Sequence, residues 1–258
     1  MNCKICNNKT QVIFNRKMLN KYDVNFHWCT SCGFIQTDEP FWIEEAYKNS
    51  INIEDTGLVA RNFLFAKRTS TILFFLFQRQ KSFLDFAGGY GLFVRLMRDY
   101  GFDFYWTDPF TSNLFAKGFE LNSKVRNSFE VVTAFECFEH FVNPIQEIDK
   151  MLKFSKNILF STEVFKFNAP TPDDWPYYSF HHGQHISFYS FQTLKFISKK
   201  FNLNFYSNGK SFHLLTEKKI PNSIFNFLLY SSLVGLPLYI KLRMNSKTHS
   251  DSNSLQVN

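Results

Sequence analysis

SFLDFAGGYGLFVRLMRDYG, residues Ser82 to Gly101, decides how the chain folds. The apolar pair Phe83-Leu84 leads through Asp85 into Gly88, Gly89 and Gly91, after which Leu92, Phe93, Leu96, Met97 and Tyr100 recur at helical spacing. The order is strand, glycine turn, helix, with Gly101 standing where a helix commonly stops. Glycines in such a turn reach backbone angles closed to other residues and let a ligand approach the main chain, and the helix N-terminus offers unpaired N–H groups. A nucleotide-like cofactor fits that combination.

The glycine spacing narrows the choice. A dinucleotide fingerprint needs a third glycine where Val94 stands, and the run lacks the G-K-[S/T] ending of a phosphate-cradling loop. The pattern resembles motif I, D-x-G-x-G-x-G, of the Rossmann-like S-adenosylmethionine (SAM)-dependent methyltransferases. Asp85, Gly89 and Gly91 match, Gly88 lies between, and Ala87 replaces the first glycine, which requires an ordinary backbone angle at that position. A generic α/β connection is the competing reading of the turn.

The following residues extend the resemblance. Phe102 to Trp106 reads as a strand ending at Thr107-Asp108-Pro109, and an acidic residue about 20 positions after the turn's strand suits a ribose. Asp108 and Pro109 are therefore expected at the cofactor. The alternative for Asp108 is an Asp-Pro turn closing the strand. Residues Glu130 to Pro144 are similar to the family's fourth-strand segment, with Glu139, His140 and Pro144 in register. The resemblance implies that Phe135 and Glu136 border the cofactor and that Glu139-His140 cap the next helix. The third strand is reduced to Phe119-Glu120-Leu121.

With 258 residues the chain is long enough for one α/β body plus small appendages. Its net charge of +7 favours anionic partners, yet the basic residues are scattered rather than clustered with aromatics, so nucleic acid is the weaker reading. No apolar signal follows Met1, and a cytoplasmic location is expected.

Cys3-x-x-Cys6 and Cys29-x-x-Cys32 are two knuckles at zinc-site spacing. Four thiolates complete a closed tetrahedron, so the expected metal is structural Zn2+, with redox activity as the alternative and a catalytic role disfavoured. Short strands between the knuckles make a ribbon. Cys137 reads as a small core residue, and His27, beside the second knuckle, has no ligand position left to fill.

Residues Asn168 to Ser190 form a long loop holding Trp175, Tyr177, Tyr178, His181, His182, Gln184 and His185, and loops of this length usually carry function. Its end, from Gln184 to Ser190, resembles the E-H-x-x-[Y/F]-[Y/F]-S segment of methyltransferases with an N-terminal four-cysteine module, including the sugar C-methyltransferases. In those a Glu-His pair covers the substrate and the His acts as base. Here Gln184 replaces the Glu, which weighs against proton abstraction from carbon and leaves O- or N-methylation open. His185 is the expected catalytic residue. Trp175, Tyr177, Tyr178, His182 and Gln184 are the expected acceptor contacts, against the alternatives that the aromatic residues only pack the loop and that the histidines bind a metal with Asp173 and Asp174.

Ile224 to Ile240 is apolar but short for a membrane span. It is expected to pack as a helix on the body or a second copy, peripheral membrane contact being the alternative, and the polar end after Asn245 is expected to be disordered. The expected organisation is a zinc ribbon (1–40), a helical linker (41–80), a doubly wound α/β SAM-binding domain (81–217) and a helical tail (218–258). The resemblance implies a methyltransferase acting on a small polar acceptor, a sugar nucleotide or glycan precursor. An RNA methyltransferase and a non-catalytic cofactor-binding scaffold are the alternatives.

Overall fold

A computed structural model describes residues 1–48, 55–122, 128–166 and 168–256. Residues 49–54 of the helical linker (41–80) and the last two residues of the tail lie outside them. The strands in chain order are β1 (Gln11–Met18), β2 (Tyr22–Trp28), β3 (Ile35–Thr37), β4 (Ser82–Phe86), β5 (Asp103–Thr107), β6 (Val132–Ala134), β7 (Ile158–Ser161), β8 (Val164–Phe165), β9 (Ser187–Ser190), β10 (Asn204–Ser207) and β11 (Phe212–Thr216). The helices are α1 (Ile43–Ala46), α2 (Leu58–Leu76), α3 (Leu92–Asp99), α4 (Pro144–Phe154), α5 (Phe191–Lys200), α6 (Asn222–Ser231), α7 (Leu236–Arg243) and α8 (Thr248–Gln256).

A six-stranded sheet runs in the order β10-β11-β7-β6-β4-β5. Strands β5 and β6 pair in parallel on either side of β4, with Leu84 opposite both Tyr105 and Val132. Strands β10 and β11 form the antiparallel pair expected at Asn208-Gly209. Phe83, Leu84, Phe104 and Val132 are fully buried, as strands covered on both faces require. The fold is the expected Rossmann-like α/β sheet. The third strand survives as one bridge, Trp106 to Glu120.

Two compact units divide the chain without following its order. The first comprises Met1–Asn52, Glu136–Lys150 and Phe160–Glu217, and the second Ile53–Phe135, Met151–Leu159 and Lys218–Asn258.

In the first unit the ribbon is not self-contained. Its hairpin β1-β2 continues through β3 to β9 and β8 in one five-stranded sheet, with Ile35 opposite Phe188. A core of Phe26, Ile35, Trp42, Trp175, Tyr178 and Phe188 fills it. Ser190 caps α5 as expected, its Oγ accepting from the Thr193 N–H while Thr193 Oγ1 accepts from the Ser190 N–H. Thr193 Oγ1 also donates to the Cys32 carbonyl at 2.9 Å, which ties this helix start to the second cysteine knuckle.

In the second unit α2 packs against α3, α6 and α7. The apolar tail expected as one helix is two, α6 and α7, bent by 85°. Pro237 sits in the first turn of α7, a position where its missing N–H costs nothing. Among the described residues no single helix is long and apolar enough to cross a membrane. The end expected to be disordered instead forms α8 through residue 256. Asp251 on α8 is buried and accepts from Arg98 Nη2 at 2.7 Å and Nε at 2.8 Å, a bidentate pair that holds a polar helix with no apolar stripe of its own.

Candidate functional site

In the second unit, the turn after β4 is built around Gly89. Its N–H donates to Asp108 Oδ2 at 3.0 Å, and its carbonyl accepts from Trp106 Nε1 at 2.8 Å and Thr111 Oγ1 at 2.7 Å. Asp108 Oδ1 accepts from the N–H groups of Phe110 and Thr111, so the expected ribose acceptor is fixed by the loop that follows β5. Pro109, next to it, is exposed.

Each glycine of the turn has its own reason. A Cβ on Gly88 would press on Asp85 Oδ2 and the Trp106 ring, each at 2.7 Å. Gly91 has φ +83°, and a Cβ there would collide with Asn113 Oδ1. At Gly89, φ +53°, an added Cβ would meet nothing within 4 Å. Gly91 precedes α3 without a side-chain cap, so the first N–H groups of that helix keep their capacity for a ligand. A glycine open on one side, an acidic strand end and an uncapped helix start suit a nucleoside cofactor.

Ala87 departs from the expectation of an ordinary backbone angle, since its φ is +57°. The turn imposes the angle that glycine would supply, at a cost of about 1–2 kcal/mol for a residue with a Cβ. Ala87→Gly relieves that strain and returns part of it as unfolded-state entropy. The expected outcome is a gain of about 0.5–1 kcal/mol in chemical denaturation, and an unchanged or lowered midpoint would contradict the strain.

Asp85 is buried, and its Oδ1 accepts from Thr133 Oγ1 at 2.6 Å. Burial raises its pKa to about 7, the Thr133 bond opposing and the nearby Asp108 adding to the rise. Unfolded, the group ionises near 3.8, so its contribution to stability is complete below that value and is lost as pH rises through about 7. Asp85→Asn removes the titration. Between about pH 5 and about pH 8 the cofactor-free wild type should lose stability relative to this variant, on the order of 3 kcal/mol in thermal melts. Parallel pH profiles would contradict the assignment. Phe135 stacks on Phe65 at 4.6 Å and meets Phe93 edge-on at 5.0 Å.

In the first unit, the histidine loop is stapled at several points. Trp42 Nε1 donates to the Gly183 carbonyl, Gln184 Nε2 to the Ala46 carbonyl, and the Ile186 N–H to the Glu139 carbonyl. His185 Nδ1 lies 2.6 Å from the Tyr177 carbonyl, which can only accept, so Nδ1 carries the proton and Nε2 the lone pair. Burial, with His140 and His182 nearby, pushes the His185 pKa well below the usual 6.5, against the pull of the Tyr177 carbonyl. The imidazole is therefore neutral at physiological pH. The Tyr177 ring lies 4.8 Å from His185, as does His182. The Tyr177 hydroxyl accepts from the Glu163 N–H and pairs with Thr162 Oγ1 at 3.1 Å.

Several expected acceptor contacts are spent elsewhere. Tyr178 is fully enclosed, its hydroxyl donating to the Pro170 carbonyl, and Trp175 is buried with its Nε1 on Glu163. Both are core. Gln184 is buried on Ala46, which accounts for an amide where the resemblance has a carboxylate. Asp173 and Asp174 are exposed and engage Arg16 and Thr171.

Glu136 and Glu139 were not read as a pair from the sequence. Glu136 follows β6 with φ +50°, a strained conformation for a non-glycine residue, and accepts from Ser161 Oγ at 2.5 Å. Glu139 is 1% exposed, and its pKa is raised to about 8 by burial and then by Glu136. His140 Nδ1 faces the Gln184 carbonyl at 3.1 Å, and burial lowers its pKa to about 4. A motif that read only as a helix cap thus supplies two ionisable groups to the histidine cluster.

The four knuckle cysteines converge, with Sγ–Sγ distances of 3.5 Å for Cys3–Cys32 and 3.4 Å for Cys6–Cys29. These distances are far from a disulfide bond and close to the edge of about 3.8 Å of a ZnS4 tetrahedron. The Ile5 N–H approaches Cys3 Sγ at 3.4 Å. His27 pairs with Asp38 at 2.7 Å instead of joining the thiolates.

A family model described as a methyltransferase domain matches residues 60–208, more than half of the chain. Among solved structures, the plantazolicin methyltransferase BpumL in complex with S-adenosylhomocysteine (SAH) is 16% identical, covering 78% of this chain and 83% of that one at a TM-score of 0.44. An O-methyltransferase family protein from Burkholderia thailandensis is 12% identical over 70% of this chain and 68% of its own, at 0.44. A possible histamine N-methyltransferase from Thermotoga maritima is 9% identical over 68% and 99%, at 0.42. No curated protein sequence matches the chain. The matched residues contain the glycine turn, the Asp108 strand end and the Glu139-His140 segment, and the chain belongs to this methyltransferase-domain family as a SAM-dependent enzyme of Rossmann-like fold.

Proposed function

We propose that the chain methylates oxygen or nitrogen of a small polar acceptor, a nucleotide-linked or surface-polysaccharide sugar, in the cytoplasm. SAM supplies an activated methyl group on a sulfonium. Asp108 would bind its ribose, with Asp85, Ala87, Gly88, Gly89 and Gly91 shaping the turn and Pro109, Phe135 and Glu136 at its border. Cys3, Cys6, Cys29 and Cys32 would hold a structural Zn2+.

The observation that carries the reading is the His185 imidazole, neutral and fixed through Nδ1 on the Tyr177 carbonyl. Such a group accepts a hydrogen bond from a hydroxyl or amine and aligns the acceptor's lone pair to displace SAH from the methyl group, and Nε2 takes the proton that the methylated acceptor then releases, work that needs position more than basicity. It is too weak a base for a sugar carbon, in keeping with Gln184 being bound to the Ala46 carbonyl. Tyr177 and His182, two of the ring neighbours of His185, are the proposed acceptor contacts. The sugar class rests on the resemblance of the Gln184-to-Ser190 stretch and the cysteine knuckles to sugar methyltransferases.

Methyl-labelled SAM offered with a panel of nucleotide sugars, and separately with RNA at low salt, tests it. Label should enter a sugar in step with SAH release. Label found only in RNA would overturn the acceptor class.

A further inference from the structure

We propose that Glu139, His140 and His185 form a second cation site, separate from the cysteine knuckles, for a divalent transition metal such as Zn2+, Fe2+ or Co2+. One ligand atom from each of the three lies within 4.8 Å of the others, and the two imidazole rings are 5.0 Å apart. Three independent features of the cluster point to a cation.

The first is the tautomers. His140 Nδ1 is on the Gln184 carbonyl and His185 Nδ1 on the Tyr177 carbonyl. Both carbonyls can only accept, so both rings carry the proton on Nδ1 and keep a lone pair on Nε2. A ring whose far N–H is held by a carbonyl is the usual arrangement of a metal-ligating histidine.

The second is an orphaned oxygen. Glu139 is 1% exposed, and its Oε2 is buried without a hydrogen-bond partner, the Tyr177 and Thr162 hydroxyls near the carboxyl being paired with each other. A buried carboxyl oxygen left so is costly, and a cation that displaces the carboxyl proton satisfies it.

The third is rigidity. Glu139 and His140 lie on the short helical turn Phe138–His140, and His185 lies on the loop that this turn grips. The Ile186 N–H donates to the Glu139 carbonyl at 2.9 Å, Ser187 Oγ to the Phe141 carbonyl at 2.7 Å and Tyr189 Oη to the Phe138 carbonyl at 3.0 Å.

Two imidazoles and one carboxylate select transition metals over Ca2+ or Mg2+, and three protein ligands leave coordination positions open, unlike the closed four-thiolate shell. With the cation on His185 Nε2 that atom no longer accepts from the acceptor, and an acceptor oxygen or nitrogen would take an open position on the metal instead. That consequence rests on the acceptor reading above, whereas the binding itself does not.

The test is a Co2+ titration of the full chain with its cysteine site already filled by one equivalent of Zn2+. The expected result is one further Co2+ per chain, giving weak d–d bands of nitrogen and oxygen ligation with no thiolate charge-transfer band. Glu139→Gln and, separately, His140→Ala should weaken that binding at least tenfold while SAH affinity stays unchanged. Absence of a second cation in the wild type, or equal Co2+ binding by both variants and wild type, would overturn the site. Should Glu139→Gln fail to fold, the wild-type spectrum alone decides. A chain that binds no second cation yet methylates sugars overturns only this inference. One that fills the triad and methylates no polar acceptor overturns only the proposed function.

Discussion

His185→Ala is expected to lower methyl transfer by about 10²–10⁴-fold with SAH affinity unchanged. The residue belongs to the histidine loop, and its Nδ1 is committed to the Tyr177 carbonyl, leaving Nε2 as the atom that can meet an acceptor. Alanine removes that atom and deletes no contact of the glycine turn. Because burial holds the wild-type His185 pKa well below 6.5, its imidazole is already neutral there. The rate of the wild type should therefore show no acid limb from this residue as pH falls from about 7.5 to about 6.5. Steady-state rates with the acceptor in hand, beside SAH titration of the same protein, make the check. Retained turnover would remove His185 from the chemistry.

Gly91→Ala is expected to act on the cofactor, weakening SAH binding at least tenfold and destabilising the chain by about 2–5 kcal/mol. Two costs add. The backbone at φ +83° disfavours any Cβ, and this Cβ would collide with Asn113 Oδ1 and approach the Ala116 N–H. Asn113 cannot retreat freely. Its Nδ2 donates to the Ala116 carbonyl and to Glu120 Oε1, and its Oδ1 accepts from the Ala116 N–H. Displacing it unpicks residues 113–120 beside the start of α3. Gly209→Ala is the control, because φ there is +76° but no atom lies within 4 Å of an added Cβ. It should carry the backbone cost without the loss of SAH affinity. Equal SAH binding by Gly91→Ala and wild type would contradict the role given to the turn.

What could be read from the sequence was local. The strand, glycine turn and helix at Ser82 to Gly101, the two cysteine knuckles, the Ser190 cap and the Asn208-Gly209 hairpin each depend on residues a few positions apart, where spacing and backbone preference suffice. What could not be read depends on distant partners. Nothing near Ile35 announces that it pairs with Phe188, so the ribbon read as a separate module while its sheet takes in the histidine loop's own strand. Tyr178 and Trp175 read as loop aromatics because the core that encloses them is assembled from β2, β3 and β9. Helix α8 has no apolar periodicity and is held by polar contacts, Asp251 with Arg98 and Arg95 and Thr248 with Asp99, which no local pattern signals. Ala87 shows local preference overruled, since the turn sets its angle whatever side chain is present. Glu139 was legible as part of a motif, but its orphaned oxygen and its place beside His185 are properties of packing.

Whether the glycine turn binds the cofactor is tested most directly by a calorimetric titration of the zinc-loaded protein with SAH, using NAD as the control. One SAH per chain should bind at micromolar affinity and no NAD, and Gly91→Ala should lose the SAH signal. Failure of SAH to bind the intact wild type would contradict cofactor binding there, leaving the glycine turn as architecture alone.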